Sequence, residues 1–326
     1  MKGQPQEIRL RVPGIAPRFV PAAKEASGTG LRRGLVVVDK PAGMTSHDVV
    51  ERGRRCVRHK RVGHAGTLDP EVTGVLPLGL GQATRVLHVL LRAGKTYDAR
   101  MWLHGDVPGE SVREVLAAQV GRITQRPPVR SRVKRVERTR QIYELEVAEV
   151  AGRDVRFSVH CEAGTYIRKL CHDVGEQLGC GAHMAWLRRT EAGGFTLEDA
   201  VNLSALEAAC ARWHDALDDK ELKPALYPLE AALDSARMPR IWLDEGAVAH
   251  IASGSPLYVP GVLAYTADVT RDAEVAVQTL SGQLVALGRA GLDAAEFEQA
   301  TRGVAVRTKR VLWPLPTVEE DASMSE

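Results

Sequence analysis

Gly63-His64-Ala65-Gly66-Thr67-Leu68-Asp69-Pro70 sets one carboxylate in a glycine-bounded turn and leads into the apolar run from Val72 to Leu80. That run reads as a buried strand interrupted at Pro77 and Gly79. Gly63 and Gly66 admit backbone conformations closed to other residues and let a bulky ligand come close to the main chain. Pro70 removes a backbone donor and fixes the exit of the turn. Asp before Pro is also an ordinary helix start, the acid capping and the proline taking the first helical position. Spacing alone leaves both readings standing, and residues far from the turn must separate them.

Upstream, Gly34 to Asp39 carries the β-branched trio Val36, Val37 and Val38, as a buried strand would, and Lys40-Pro41 ends it. Thr45-Ser46-His47-Asp48 has the spacing of a helix cap, with Val49, Gly53, Cys56 and Val57 following on one face. Arg52, Arg54, Arg55 and Arg58 occupy the other face, and Lys60 and Arg61 carry the positive run into the Gly63 turn, where a phosphate chain would find counter-charge.

Downstream, Gly94-Lys95-Thr96-Tyr97 opens a strand through Ala99, Met101 and Leu103, with Tyr97 near its start. The stretch from Gln125 to Arg135 is the most basic in the chain, and its period of two puts Arg130, Arg132 and Lys134 on one face, suited to phosphate contact without sequence readout. An exposed edge strand protected by charge has the same pattern. Val155, Phe157, Val159 and Cys161 alternate as a half-buried strand, and a helix follows, capped by Thr165, buried through Ile167, Leu170, Cys171, Val174 and Leu178, and ended by Gly179. Arg168 then falls in the first turn, where the backbone dipole disfavours a cation. A carboxylate partner would compensate it.

Ser204-Ala205-Leu206-Glu207 reads as a capping box, with a stripe through Leu206, Cys210, Trp213 and Leu217. Prolines 224, 228 and 239 place a boundary between Leu233 and Ile241. Beyond it, short β-like runs around Val248, Leu257, Val275 to Leu280, Leu284 to Leu287 and Val304 to Val306 predict a small barrel. The fold class is therefore α+β: a mixed sheet with flanking helices, then a small β-barrel. The expected divisions are an extension over 1–33, a catalytic domain over 34–237, a barrel over 238–316 and an acidic tail over 317–326. The extension lacks a core of its own and is expected to order only by docking.

The chain has 326 residues, 44% hydrophobic and 26% charged, enough for two domains of ordinary globular composition. A net charge of +3 does not by itself indicate nucleic acid, so local clusters must carry that argument. Five cysteines without a Cys-x-x-Cys pair argue against a zinc ribbon or a disulfide framework, and for a reducing, cytoplasmic setting. No apolar run approaches a membrane span, so no membrane partner is expected.

Gly63 to Pro70 together with Thr73-Gly74-Val75-Leu76-Pro77 resembles the signature of the TruB-type pseudouridine synthases. Leu35 to Pro41, Ala163-Gly164-Thr165-Tyr166-Ile167-Arg168 and Gly181-Ala182-His183-Met184 extend the resemblance to the dyskerin group. Pro260-Gly261-Val262, Gly282 to Gly288 and Gly303 to Val306 resemble the RNA-binding PUA domain. One departure stands out: Arg271-Asp272-Ala273-Glu274 replaces the Gly-Asp usual ahead of that module's central strand. The resemblance implies a catalytic aspartate at Asp69, Arg168 as its ion-pair partner and Tyr97 stacking on the target base. Expected RNA contacts are His64, Lys40, Lys60, Arg130, Arg132, Lys134 and Arg188. It also implies an isomerase with no cofactor and no metal, acting on ribosomal RNA chosen by an H/ACA guide RNA, with three small accessory proteins, and acting on transfer RNA too. The alternatives are a stand-alone enzyme on transfer RNA and a non-catalytic RNA scaffold.

Other chemistries lack their residues. A zinc deaminase needs His-x-Glu and Pro-Cys-x-x-Cys. An ATP-driven enzyme needs a Gly-x-x-x-x-Gly-Lys loop. A glycosidase built on Asp69 and Glu71 leaves Arg168 and the barrel unexplained.

Overall fold

The structure, a computed structural model, describes residues 6–20, 27–126 and 136–313. Arg130, Arg132, Lys134 and the acidic tail lie outside the described residues. In chain order the strands are β1 Ile8–Leu10, β2 Leu35–Lys40, β3 Val62–His64, β4 Thr73–Leu80, β5 Lys95–Leu103, β6 Gly121–Gln125, β7 Arg138–Ala151, β8 Asp154–Cys161, β9 Ala182–Ala192, β10 Phe195–Thr196 and β11 Val201–Asn202. They continue with β12 Leu226–Tyr227, β13 Arg240–Leu243, β14 Leu257–Tyr258, β15 Val262–Thr266, β16 Glu274–Gln278, β17 Leu284–Ala290 and β18 Val304–Val311. The chain forms two compact units, one from Val36–Gly79 and Leu90–Ala225, the other from the described parts of Met1–Leu35, Leu80–Val89 and Leu226–Glu326.

The first unit is built on a mixed sheet in the order β11-β2-β4-β9-β5-β8-β7-β6, with β3 beside β4 and β10 beside β9. β4 runs parallel to β9, while β5 is antiparallel to both β9 and β8. The alternation in β8 holds: Val155, Phe157, Val159 and Cys161 are buried, and they meet Ala99, Met101 and Leu103 of β5 and Ile167, Leu170, Cys171 and Val174 of the helix Ile167–Gln177. Burying Val, Ile, Leu or Phe side chains stabilises by about 1.5–3 kcal/mol each, so this cluster holds the helix against one face of the sheet.

Local capping departs from the sequence reading at two helices. The Thr165 hydroxyl donates to Glu162 O at 2.8 Å and Tyr166 takes the cap position, so the helix starts one residue later than a Thr165 cap implies. Asn202 Oδ1 accepts from Ser204 N at 2.9 Å and caps the helix Leu203–Ala216. Glu207 pairs with Arg52 on the neighbouring helix instead of closing a capping box. Leu217 leaves the apolar stripe as well, taking φ +55° at the helix end with 71% exposure. The Thr45 to Asp48 box forms as expected and starts the helix Ser46–Val57.

The second unit is a curled half-barrel sheet in the order β1-β15-β13-β16-β17-β18-β14 around Ile241, Leu243, Tyr265, Val277 and Phe297. Val248 begins the short helix Val248–Ala252, not a strand. The amino-terminal extension docks within this unit: β1 pairs antiparallel with β15, Trp242 Nε1 donates to Arg18 O at 2.8 Å, and Phe19 meets Trp242 edge-on at 5.3 Å. The unusual turn forms here without glycine. Asp272 adopts φ +61°, which Asp tolerates better than most residues, while Arg271 donates to Gly291 O at 2.6 Å and pairs with Glu296. Among the described residues no helix is long and apolar enough to cross a membrane.

Candidate active site

Between β3 and β4 the backbone makes an irregular turn, and no helix starts at Asp69-Pro70. The helix-start reading is thereby excluded. Gly63 belongs to β3, so of the two bounding glycines it is Gly66 that takes the left-handed region, at φ +118°. The turn is anchored on both sides of Asp69. Ser46, 1% exposed, accepts from Leu68 N at 2.8 Å and donates to Leu68 O at 3.2 Å. Pro70 O accepts from Gly43 N at 3.0 Å and from Lys40 Nζ at 2.8 Å. Ala65 N donates to Pro77 O at 2.9 Å. With residues 68 and 70 fixed, the Asp69 carboxylate is aimed while its side chain stays 52% exposed.

Arg168, in the first turn of the helix Ile167–Gln177, forms an ion pair with Asp69. The structure thus supplies the carboxylate that the misplaced cation calls for. Both side chains are about half exposed, so a ligand can reach the pair. An arginine keeps its charge at every accessible pH and offers a planar fork that matches a carboxylate.

Tyr97 lies on β5 directly opposite Arg189 on β9 and Val159 on β8, so the three side chains share a face. Burial pushes the phenol pKa up, and the nearby Arg189 charge opposes that rise. The hydroxyl is therefore neutral near pH 7.

The remaining expected contacts divide. His64 is half-buried and accepts from Gly66 N at 3.3 Å through Nδ1; burial first, then the Arg189 charge, lowers its pKa, so it stands neutral beside the turn. Lys60 is exposed just ahead of β3. Arg188 pairs with Asp39 at 2.8 Å and stays partly exposed. Lys40 is a correction: it is fully buried, and its ammonium donates to Pro41 O, Met44 O and Pro70 O at 2.6–2.8 Å. Its three donors are all taken by the chain, so it holds the turn from behind and does not face RNA.

Three buried residues near the turn escape the sequence reading: Ser46, Lys95 and Arg189. Lys95 and Arg189 carried a signal, because each falls in phase with the buried positions of its strand, Lys95 with Ala99, Met101 and Leu103, and Arg189 with Leu187. Lys95 Nζ donates to Leu90 O, Leu91 O and Ala93 O at 2.6–3.0 Å, closing the end of the helix Leu87–Arg92. Ser46 sits where any helix begins and carried none.

The comparisons give this geometry its family. The TruB family pseudouridylate synthase N-terminal domain matches residues 54–110, the tRNA pseudouridylate synthase B C-terminal domain matches 168–234 and the PUA domain matches 239–312. Synthase-domain matches over 54–110 and 168–234 with a PUA module behind them place the chain among RNA-modifying isomerases. The chain belongs to the TruB family of pseudouridine synthases, enzymes that isomerise uridine in RNA.

Its relatives include the probable tRNA pseudouridine synthase B of Pyrococcus horikoshii, 45% identical over 87% of this chain and 85% of that one. The Archaeoglobus fulgidus protein of the same name is 45% identical over 86% of each. Among solved structures, a Cbf5-Nop10-Gar1 complex matches with TM-score 0.89 and 41% identity over 95% of both chains. An H/ACA RNP bound to a substrate RNA containing 2'-deoxyuridine matches with TM-score 0.87 and 38% identity, covering 95% of this chain and 96% of that one.

Proposed function

We propose that this enzyme converts uridine to pseudouridine in ribosomal RNA presented by an H/ACA guide RNA, working with small accessory proteins of that particle. The observation that carries the catalytic assignment is the carboxylate of Asp69, fixed through Leu68 and Pro70 and paired with an arginine at a helix start that disfavours cations. The guide and accessory proteins follow from similarity over nearly the whole chain to Cbf5 bound to Nop10 and Gar1, and to an H/ACA RNP holding substrate RNA.

In this reading the target uridine leaves its stack, at a cost of a few kcal/mol that is least for an unpaired base. Asp69 promotes cleavage of the bond between C1′ and N1. The uracil turns, C5 bonds to C1′, the C5 proton departs and N1 gains one, so atoms balance with no net redox and no cofactor. Arg168 keeps the carboxylate oriented, and Tyr97 offers a face to the base and assists removal of the C5 proton. His64 lines the turn, while Lys60 and Arg188, with Arg130, Arg132 and Lys134, contact the RNA backbone. Residues 34–237 carry the chemistry and 238–316 bind RNA, in a cytoplasmic protein. The names of the archaeal relatives favour transfer RNA as a second substrate.

Tritium placed on uridine C5 is released as the new bond forms, which gives a direct assay. Ribosomal RNA fragments and transfer RNA are compared with and without guide RNA and accessory proteins. Release from ribosomal sites only when the guide is present is expected. Release from them without any guide overturns the particle.

A further inference from the structure

Arg189 is 1% exposed, and among the described residues no carboxylate lies within ion-pair distance of it. A buried cation without a counter-ion is costly, and single-partner arginines usually acquire one. Its guanidinium instead bonds two separate parts of the site and stands beside a third. Nε donates to Val75 O on β4 at 2.7 Å, Nη2 donates to Gly66 O at 3.0 Å, and Arg189 on β9 lies directly opposite Tyr97 on β5 in the register of the two strands. Gly66 fits closely against it: a Cβ there would stand 3.4 Å from Arg189 Nη1, on a residue whose backbone already needs glycine.

The same charge reaches four ionisable groups near the turn. Lys40 on β2, His64 on β3, and Lys95 and Tyr97 on β5 all feel it; Cys161 on β8, opposite Lys95, stays a neutral thiol because burial pushes its pKa up to about 12.

We propose that Arg189 is a positioning residue for the reaction: one buried guanidinium ties the Asp69 turn, through Gly66 and Val75, to the point on β9 that packs opposite Tyr97. The inference rests on the assignment of Tyr97 and Asp69 above and adds what holds them in register. Asp69 reaches its position through a turn between β3 and β4, whereas Tyr97 is fixed in β5. Arg189, on the strand between β4 and β5, bonds the turn at Gly66 O and β4 at Val75 O from the position directly opposite Tyr97. A planar fork holds its donors along fixed, diverging lines, whereas an ammonium gathers its donors at one point.

The test compares wild type with Arg189→Met and Arg189→Lys in the full chain, using C5 tritium release, RNA binding and the pH dependence of kcat. Arg189→Met is expected to lose about 100-fold in kcat with KM within about threefold, as misplacement of reacting groups does. Its alkaline limb should move to higher pH, because the charge that lowers the Tyr97 pKa is gone. Arg189→Lys should keep the limb near its wild-type place yet lose about tenfold in kcat, since charge remains and the span does not. A folded Arg189→Met with wild-type kcat, or a loss with an unmoved limb, overturns the proposal. If Arg189→Met does not fold, Arg189→Lys decides: undiminished kcat there overturns it. Tyr97→Phe separates the two claims. Full kcat in Tyr97→Phe removes the tyrosine from the chemistry and this inference with it, whereas loss in Tyr97→Phe with full kcat in both Arg189 variants defeats this inference alone.

Discussion

Replacing Lys40 with methionine tests whether the lysine before Pro41 holds the chain or holds RNA. Its ammonium serves Pro41 O, Met44 O and Pro70 O, and burial is the first cause of its lowered pKa. Hydrogen bonds to a charged group contribute roughly 1.5–3 kcal/mol each, but burying an ammonium costs several kcal/mol in return. Pro70 O keeps Gly43 N as a donor, so two carbonyls lose their partner, at roughly 1–3 kcal/mol each and toward the low end because water can reach Pro41. The net expectation is a loss of about 2–3 kcal/mol in urea unfolding at unchanged m-value. Loosening one anchor beside Asp69 should also lower kcat about tenfold. RNA affinity and its salt slope should stay as in wild type, whereas loss of a phosphate contact would reduce the slope by about 1. Wild-type stability together with a reduced salt slope would refute the reasoning and return Lys40 to the RNA surface.

Other substitutions probe separate parts of the site. Arg168→Lys keeps the charge but loses the planar fork facing Asp69, and a fall of about 100-fold in single-turnover rate with RNA binding intact is expected. Gly74→Ala places a Cβ 2.1 Å from Arg189 O at φ +108°, so β4 and β9 must part; a loss of about 3 kcal/mol or more should appear as a lower Tm. Lys95 has its pKa lowered from 10.5 to about 8, chiefly by burial. Between those values the unfolded chain holds a proton that the folded chain has released, so this group makes stability rise with pH across that window, by about 3 kcal/mol. Measured against Lys95→Met, wild type should gain stability from pH 8 to 10.5; parallel curves would contradict the assignment.

Much of the fold is legible in the sequence wherever period or composition has a single physical meaning. The alternation of Val155, Phe157, Val159 and Cys161 has one low-energy solution, a strand with one face buried, and the Thr45 to Asp48 spacing has one, a capped helix. Capping is ambiguous where two side chains compete. Asn202 and Ser204 are both good caps, and the deciding factor is Arg52 on another helix, which takes Glu207 away from the box. Arg168 is legible because it violates a local preference, and the violation points to a partner. Lys40 is not, because the four apolar residues Leu35 to Val38 ahead of Asp39 and Lys40 show no alternation to tell which way its side chain turns. Lys95 and Arg189 are in phase with buried neighbours, so the signal exists, but a lysine or arginine is so rarely buried that composition hides it.

The catalytic role of Asp69 is measured most directly by release of C5 tritium by Asp69→Ala protein assembled with guide RNA, accessory proteins and a matched ribosomal fragment. The variant is expected to bind RNA as wild type does and to release no tritium above background. Turnover by a folded Asp69→Ala protein at a rate near wild type would contradict the catalytic role of the turn from Gly63 to Pro70.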